Sequence, residues 1–208
     1  MDTLVTILIL FSGLAWTVVY IESIRIGFAQ RTYAMPLVAL GLNLGWEWLY
    51  AVTGIADGGD VQSWVNLVWA LADCLILYTF IRFGYKEFSA RLSKQDFGIW
   101  TVLVLATSIT LQILFYVEFG SHMGGIYSAF LQNLLMSGLF IAMFYSRGGS
   151  RGQSLTIAIA KGMGTLAPTI QGGIIEGISF ILVVGILCFL FDVVYIVLLA
   201  RDRQVRTT

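Results

Sequence analysis

The sequence has 208 residues, the length of one domain; 58% are hydrophobic and 12% charged, with a mean hydropathy of +0.86. A soluble globular domain of this size could not hide so much apolar surface. Twelve basic residues balance twelve acidic ones, which gives no indication of a nucleic-acid partner or a polybasic lipid anchor.

Crossing a bilayer core takes roughly twenty apolar residues per helix. Seven segments meet that length: Leu4 to Ile24, Met35 to Ile55, Val61 to Ile81, Ile99 to Val117, Gly125 to Tyr145, Leu155 to Ile175 and Gly177 to Ala200. The first has no basic stretch before it and is too long for the core of a cleavable signal, so it reads as a membrane helix. The sixth is interrupted by Gly162, Gly164, Pro168, Gly172 and Gly173. Charges between segments alternate: Arg25 and Arg31; then only Asp57 and Asp60; then Arg82, Lys86, Arg91 and Lys94. Next come Glu118 with His122, then Arg147 and Arg151, then Glu176, and a tail with Arg201, Arg203 and Arg206. Basic connections face the cytoplasm. The pattern predicts an all-α, multi-pass bundle of seven transmembrane helices over residues 1–208. It puts the N-terminus outside, the C-terminus in the cytoplasm and the chain in the cell membrane. Short connections predict antiparallel neighbours, and no internal repeat is evident. Cys74 and Cys188 fall within apolar segments and read as small packing residues.

An ionisable side chain at bilayer depth costs several kcal/mol and is a functional candidate by default. By helical rise, Glu47 lies about 18 Å from the predicted cytoplasmic end, Asp73 and Asp192 about 12 Å, and Lys161 about 9 Å. All four are expected to reach one cavity. Asn43, Glu47 and Tyr50 share a face at i, i+4 and i+7, bordered by Trp46. Asn66, Trp69 and Asp73 repeat the arrangement on the third helix, and Asp192 with Tyr195 on the seventh. Gln112 with Tyr116, and Gln132 with Asn133, add polar groups on the fourth and fifth helices. Asp73 either positions Glu47 or pairs with Lys161. Trp16 and Tyr20 are expected to pack against neighbours or join an interface belt, Glu22 to pair with Arg25 at the surface, and His122 to lie in an outer loop.

An acidic, aromatic and sparsely polar lining suits carbocation chemistry. A carboxyl group kept neutral by desolvation can protonate an alkene or epoxide. Aromatic faces stabilise the passing cation without supplying a nucleophile, and apolar walls exclude water. Two other readings are open at this point. Buried carboxyls also serve proton-coupled transporters, a reading that the broken sixth segment favours. A retinal receptor would need a lysine in the last helix, where the sequence has Asp192 and no lysine.

With Asn43-Leu44-Gly45-Trp46-Glu47 in the second helix, Trp69 and Asp73 in the third and Phe191-Asp192 in the seventh, the sequence resembles the small integral-membrane terpene cyclases. These occur in fungal meroterpenoid pathways and in actinobacterial indole-sesquiterpenoid pathways of the drimentine type. Members have seven helices and an N-x-x-W-E stretch, and lack the DDxxD and DxDD motifs, as this chain does. The resemblance implies Glu47 as proton donor and Asp192 as a second essential carboxyl. Asn43, Trp46, Tyr50, Asn66, Trp69, Asp73, Tyr116, Lys161 and Tyr195 are the expected substrate-binding residues. No cofactor or metal is expected, and the partners are the lipid bilayer and a hydrophobic prenylated substrate. The compact length is closer to the bacterial branch, which implies a farnesylated indole protonated at a terminal alkene.

Overall fold

In the computed structural model, residues 3–207 are described; the side chain of Arg206, in the basic tail, lies outside the described residues. Every regular element is helical. In chain order they are α1 (Thr3–Ala29), α2 (Leu37–Ala56), α3 (Val61–Phe83), a single turn α4 (Tyr85–Phe88), α5 (Lys94–Arg147), α6 (Leu155–Pro168), a π-helical segment (Thr169–Ile175) and α7 (Ser179–Thr207). Local chemistry sets several starts. Asp60, Ser93 and Ser154 each accept a hydrogen bond from the backbone N–H three residues on, satisfying a donor that the helix itself cannot. Pro168 lacks an N–H and closes α6, and the chain continues in the wider π winding.

The 54-residue α5 is not one straight rod. Gly120 adopts φ 74° and ψ 170° within it, a backbone conformation that a side chain would strain. Twenty residues of straight helix would separate Gln112 from Gln132 by about 30 Å. Instead, the Gln112 amide donates to Gln132 Oε1 at 2.6 Å, so the two arms fold back on each other. The outer loop expected between the fourth and fifth segments is therefore a one-residue reversal, and His122 lies in the helix beyond it, exposed. With α5 counted as two arms, the described residues form seven long rods. Among the described residues, four helices (α1, α3, α5 and α7) are long and apolar enough to cross a membrane, and large apolar side chains such as Leu10, Leu14, Val68 and Ile81 point outward from α1 and α3.

Packing brings α2 against α3 and α5, α1 against α3 and α6, and α7 against α5 and α6. Small residues permit the closest approaches, as is usual between helices in an apolar medium. A β-carbon on Gly45 would lie 3.2 Å from Ile109 Cα, and one on Gly173 would lie 2.8 Å from Leu182 Cα. The first contact presses the Asn43–Glu47 turn of α2 onto the first arm of α5. Both cysteines are free, Cys74 exposed and Cys188 buried, and Glu22 pairs with Arg25 at 2.6 Å as expected.

Candidate active site

Asn43 organises a buried polar network between α1, α2, α3 and α5. Its Nδ2 lies 3.0 Å from Glu47 Oε1, 2.9 Å from Asp73 Oδ2 and 2.6 Å from the Tyr20 hydroxyl. Tyr20 in turn donates to Glu47 Oε1. On its other side Asn43 Oδ1 accepts from Gln132 Nε2 at 3.3 Å, Gln132 Oε1 accepts from Gln112 Nε2, and Gln112 Nε2 also reaches the Leu42 carbonyl at 3.2 Å. The direction of this amide chain is fixed from both ends. The Leu42 carbonyl can only accept, which turns the Gln112 NH2 toward it. Two carboxyl groups at the other end draw the Asn43 NH2 toward themselves. Glu47 Oε1 thus accepts two hydrogen bonds, whereas Glu47 Oε2 and Asp73 Oδ1 are buried without a partner. Among the described residues, neither acid is in an ion pair.

Glu47, Asn43 and Tyr20 form part of the wall of a cavity of about 510 Å³, within the range of small-ligand sites. It runs along the first half of α1 and the start of α3, closed by the second arm of α5 and by Thr165, Pro168 and Gln171. The indoles of Trp16, Trp46 and Trp69 all face it. Trp69 stacks on Tyr20 with ring centroids 5.7 Å apart and donates to the Thr17 hydroxyl at 3.2 Å. Trp46 is held by the Gly125 carbonyl at 3.1 Å.

Lys161 and Asp192 make a separate cluster. Lys161 Nζ lies 2.9 Å and 3.1 Å from the two Asp192 oxygens and 2.6 Å from Ser137 Oγ, with both charged side chains almost fully buried. The lysine's partner is therefore Asp192, not Asp73. Neither residue lies on the cavity wall, so the four ionisable groups do not share one cavity as their depths implied. A layer of polar contacts connects the two sites: Ser137 donates to the Asn133 carbonyl, Asn133 donates to Thr165, and Thr165 donates to the Lys161 carbonyl. Asn133 and Thr165 themselves line the cavity.

Of the expected substrate-binding residues, Asn43, Trp46 and Trp69 reach the cavity. Asp73 sits behind it on Asn43. Tyr50 packs between Trp46 and Tyr116, at centroid distances of 4.7 Å and 5.8 Å, with its hydroxyl unpartnered. Asn66 accepts from Gln62, which takes the place on the wall. Tyr195 is fully buried against Phe140. These positions are off the wall because one helical face is wider than the cavity it borders: Tyr50 lies two turns from Asn43, toward the helix end. Trp16 and Tyr20 pack against neighbours as expected, Tyr20 within the buried core and Trp16 against it, and both also stand on the cavity wall. Their i, i+4 spacing already placed them together, but nothing local to α1 pointed them at Glu47.

These features define a class: a helical bundle of membrane type that presents a carboxyl group, unpaired with any cation, to an apolar, tryptophan-lined cavity. The chain belongs to the Pyr4-like transmembrane terpene cyclases, a family that it matches over residues 1–174. It is 26% identical to terpene cyclase pyr4 of Aspergillus fumigatus over 94% of this chain and 86% of that one. It is 30% identical to the Pyr4-family terpene cyclase mfmH of Annulohypoxylon moriforme, over 76% of this chain and 66% of that one. A match with terpene cyclase dpchB of Colletotrichum higginsianum is 28% identical and spans 65% of that protein. No solved structure matches the chain. The family match includes Asn43, Glu47, Trp69 and Asp73 and ends ahead of α7 and Asp192.

Proposed function

We infer that the chain cyclises a prenylated, lipid-soluble substrate by protonating it from Glu47. The observation that carries this reading is a carboxyl group on the wall of an apolar cavity with no cation beside it. Tyr20 and Asn43 both donate to Oε1, which leaves the acidic proton to Oε2. Asp73 shares the same amide, and two buried carboxyls so placed are least costly when the pair keeps a proton. Transfer of that proton to a terminal alkene or an epoxide generates a carbocation. Successive double bonds attack it to close rings, and loss of a proton from the last cation yields an isomer of the substrate. Trp16, Trp46 and Trp69 stabilise passing positive charge through their ring faces. Asp192 serves as an essential carboxyl at one remove: it holds Lys161 and, through the Ser137–Asn133–Thr165 layer, that side of the cavity.

The substrate class is a farnesylated aromatic, with a farnesylated indole as the first to test. The whole chain forms one membrane-embedded unit that crosses seven times with its N-terminus outside. A reporter fused after the tail gives a cytoplasmic signal on this reading, and an external signal overturns the topology. Incubating the purified protein with a farnesylated indole, with no cofactor added, yields a cyclic product of unchanged mass. A substrate moved across vesicles but chemically intact indicates a transporter instead.

A further inference from the structure

A second pocket, of about 320 Å³, lies between the C-terminal ends of α1 and α3, away from the Glu47 cavity. Phe28, Arg31, Tyr78, Arg82, Phe83 and Lys86 line it. Its three charged residues are all cations, and the ion pairs of the described residues engage other basic groups: Arg25, Arg151 and Lys161. The acid nearest in sequence, Glu87, accepts from the Thr32 hydroxyl at 2.9 Å and pairs with Arg151 at 3.1 Å. The rings form an apolar floor. Phe28 stacks on Tyr78 at 6.0 Å and meets Phe83 edge-on at 6.5 Å, while the Arg82 guanidinium lies 5.5 Å from the Phe83 centroid. Both α1 and α3 are long and apolar enough to span a bilayer, so their ends reach headgroup depth.

Arg31 supplies an independent sign. It is the one described non-glycine residue with a positive φ, 49°, at the stop of α1, where the Thr32 N–H returns to the Gly27 carbonyl. Glycine fits such a left-handed helix stop without strain. An arginine is worse for the backbone, and what it adds is a guanidinium on the pocket rim.

We propose that this pocket binds the phosphate of an anionic phospholipid, Arg31, Arg82 and Lys86 neutralising the headgroup while Phe28, Tyr78 and Phe83 hold the start of the acyl region. Guanidinium groups match phosphate oxygens in shape and charge, and basic pockets between membrane helices are suited to acidic headgroups. A net-neutral headgroup carries its own cation and would bring like charge to the same three residues.

The test uses the full chain in detergent, with lipid adducts counted by native mass spectrometry against added phosphatidylglycerol or phosphatidylcholine. Phosphatidylglycerol binds in preference, and its affinity falls about fivefold for each basic side chain removed. Arg31→Gly is the decisive variant, because glycine suits the backbone there: it keeps or raises the melting temperature yet loses lipid. The Arg82→Ala/Lys86→Ala variant loses more, while Arg91→Ala, on an exposed neighbouring turn, loses none. Equal binding of the two lipids, or wild-type phosphatidylglycerol binding by Arg31→Gly or by the Arg82→Ala/Lys86→Ala variant, overturns the proposal. So does displacement of the lipid by equimolar inorganic phosphate, which would assign the site to free anions.

Discussion

Two buried acids in this bundle live in opposite electrostatic company. Asp192 is 2.9 Å from a lysine, whereas Glu47 is held by a phenol and an amide, with a second carboxyl on that same amide. The first arrangement stabilises a carboxylate and an ammonium together, and its natural use is to hold helices α5, α6 and α7 in place. The second has no positive charge to favour ionisation and stands on a cavity wall, the arrangement that the proposed proton donor requires. Burial alone does not make an acid a proton donor; the partners that come with burial decide which role it takes.

The comparison breaks most visibly at Lys161. Lys161→Met strands a buried carboxylate and costs about 3–5 kcal/mol of stability, read as a drop in the melting temperature in detergent. Lys161→Met combined with Asp192→Leu removes both charges and recovers most of that loss. A double variant that is stable but inactive would show that the pair acts on chemistry as well as on packing.

At the other acid the effect falls on rate. Glu47→Gln keeps size and hydrogen bonding but removes the acid, and turnover drops by ~100-fold or more, the usual scale for losing a general acid, while the protein stays folded and still binds substrate. Asp192→Asn also lowers turnover, by disturbing the Ser137–Asn133–Thr165 side of the cavity, but with a loss of thermal stability that Glu47→Gln lacks. Near-normal product from Glu47→Gln removes the distinction between the two acids altogether.

Smaller effects sharpen the account of the cavity side. Trp69→Leu removes a ring face and slows cyclisation about tenfold, with partly cyclised products visible by mass spectrometry. Gln132→Leu frees the Asn43 amide to turn and lowers kcat by about fivefold, with KM little changed; a rise in KM alone would instead put Gln132 in substrate binding. Chelation with EDTA leaves turnover unchanged, because protonation requires no metal to assist a leaving group.

Much of this was readable in the residues themselves. Hydropathy runs marked out the helical segments because the length of an apolar stretch is a local property. The break in the sixth segment was visible at Pro168 for the same reason, since a missing N–H acts within its own helix. Asn43 and Glu47 fall on one face of α2 by spacing alone, whereas the sequence leaves Asp73 either positioning Glu47 or pairing with Lys161.

Which residues meet across helices was decided only in three dimensions. Helical periodicity gives each side chain an angle around its own rod, but not the rotation of that rod against its neighbours. Sequence depth placed Glu47, Asp73, Lys161 and Asp192 within reach of one cavity; the packed bundle divided them into a cluster at the cavity wall and an ion pair behind it. Tyr20 became a partner of Glu47 because α1 turns that face toward α2. Gln112 and Gln132 joined the Asn43 amide because Gly120 folds one long helix back on itself. A sequence determines what each helix can offer on each face, and the close packing of those faces, fixed by small residues such as Gly45 and by a single reversal, determines which offers are met.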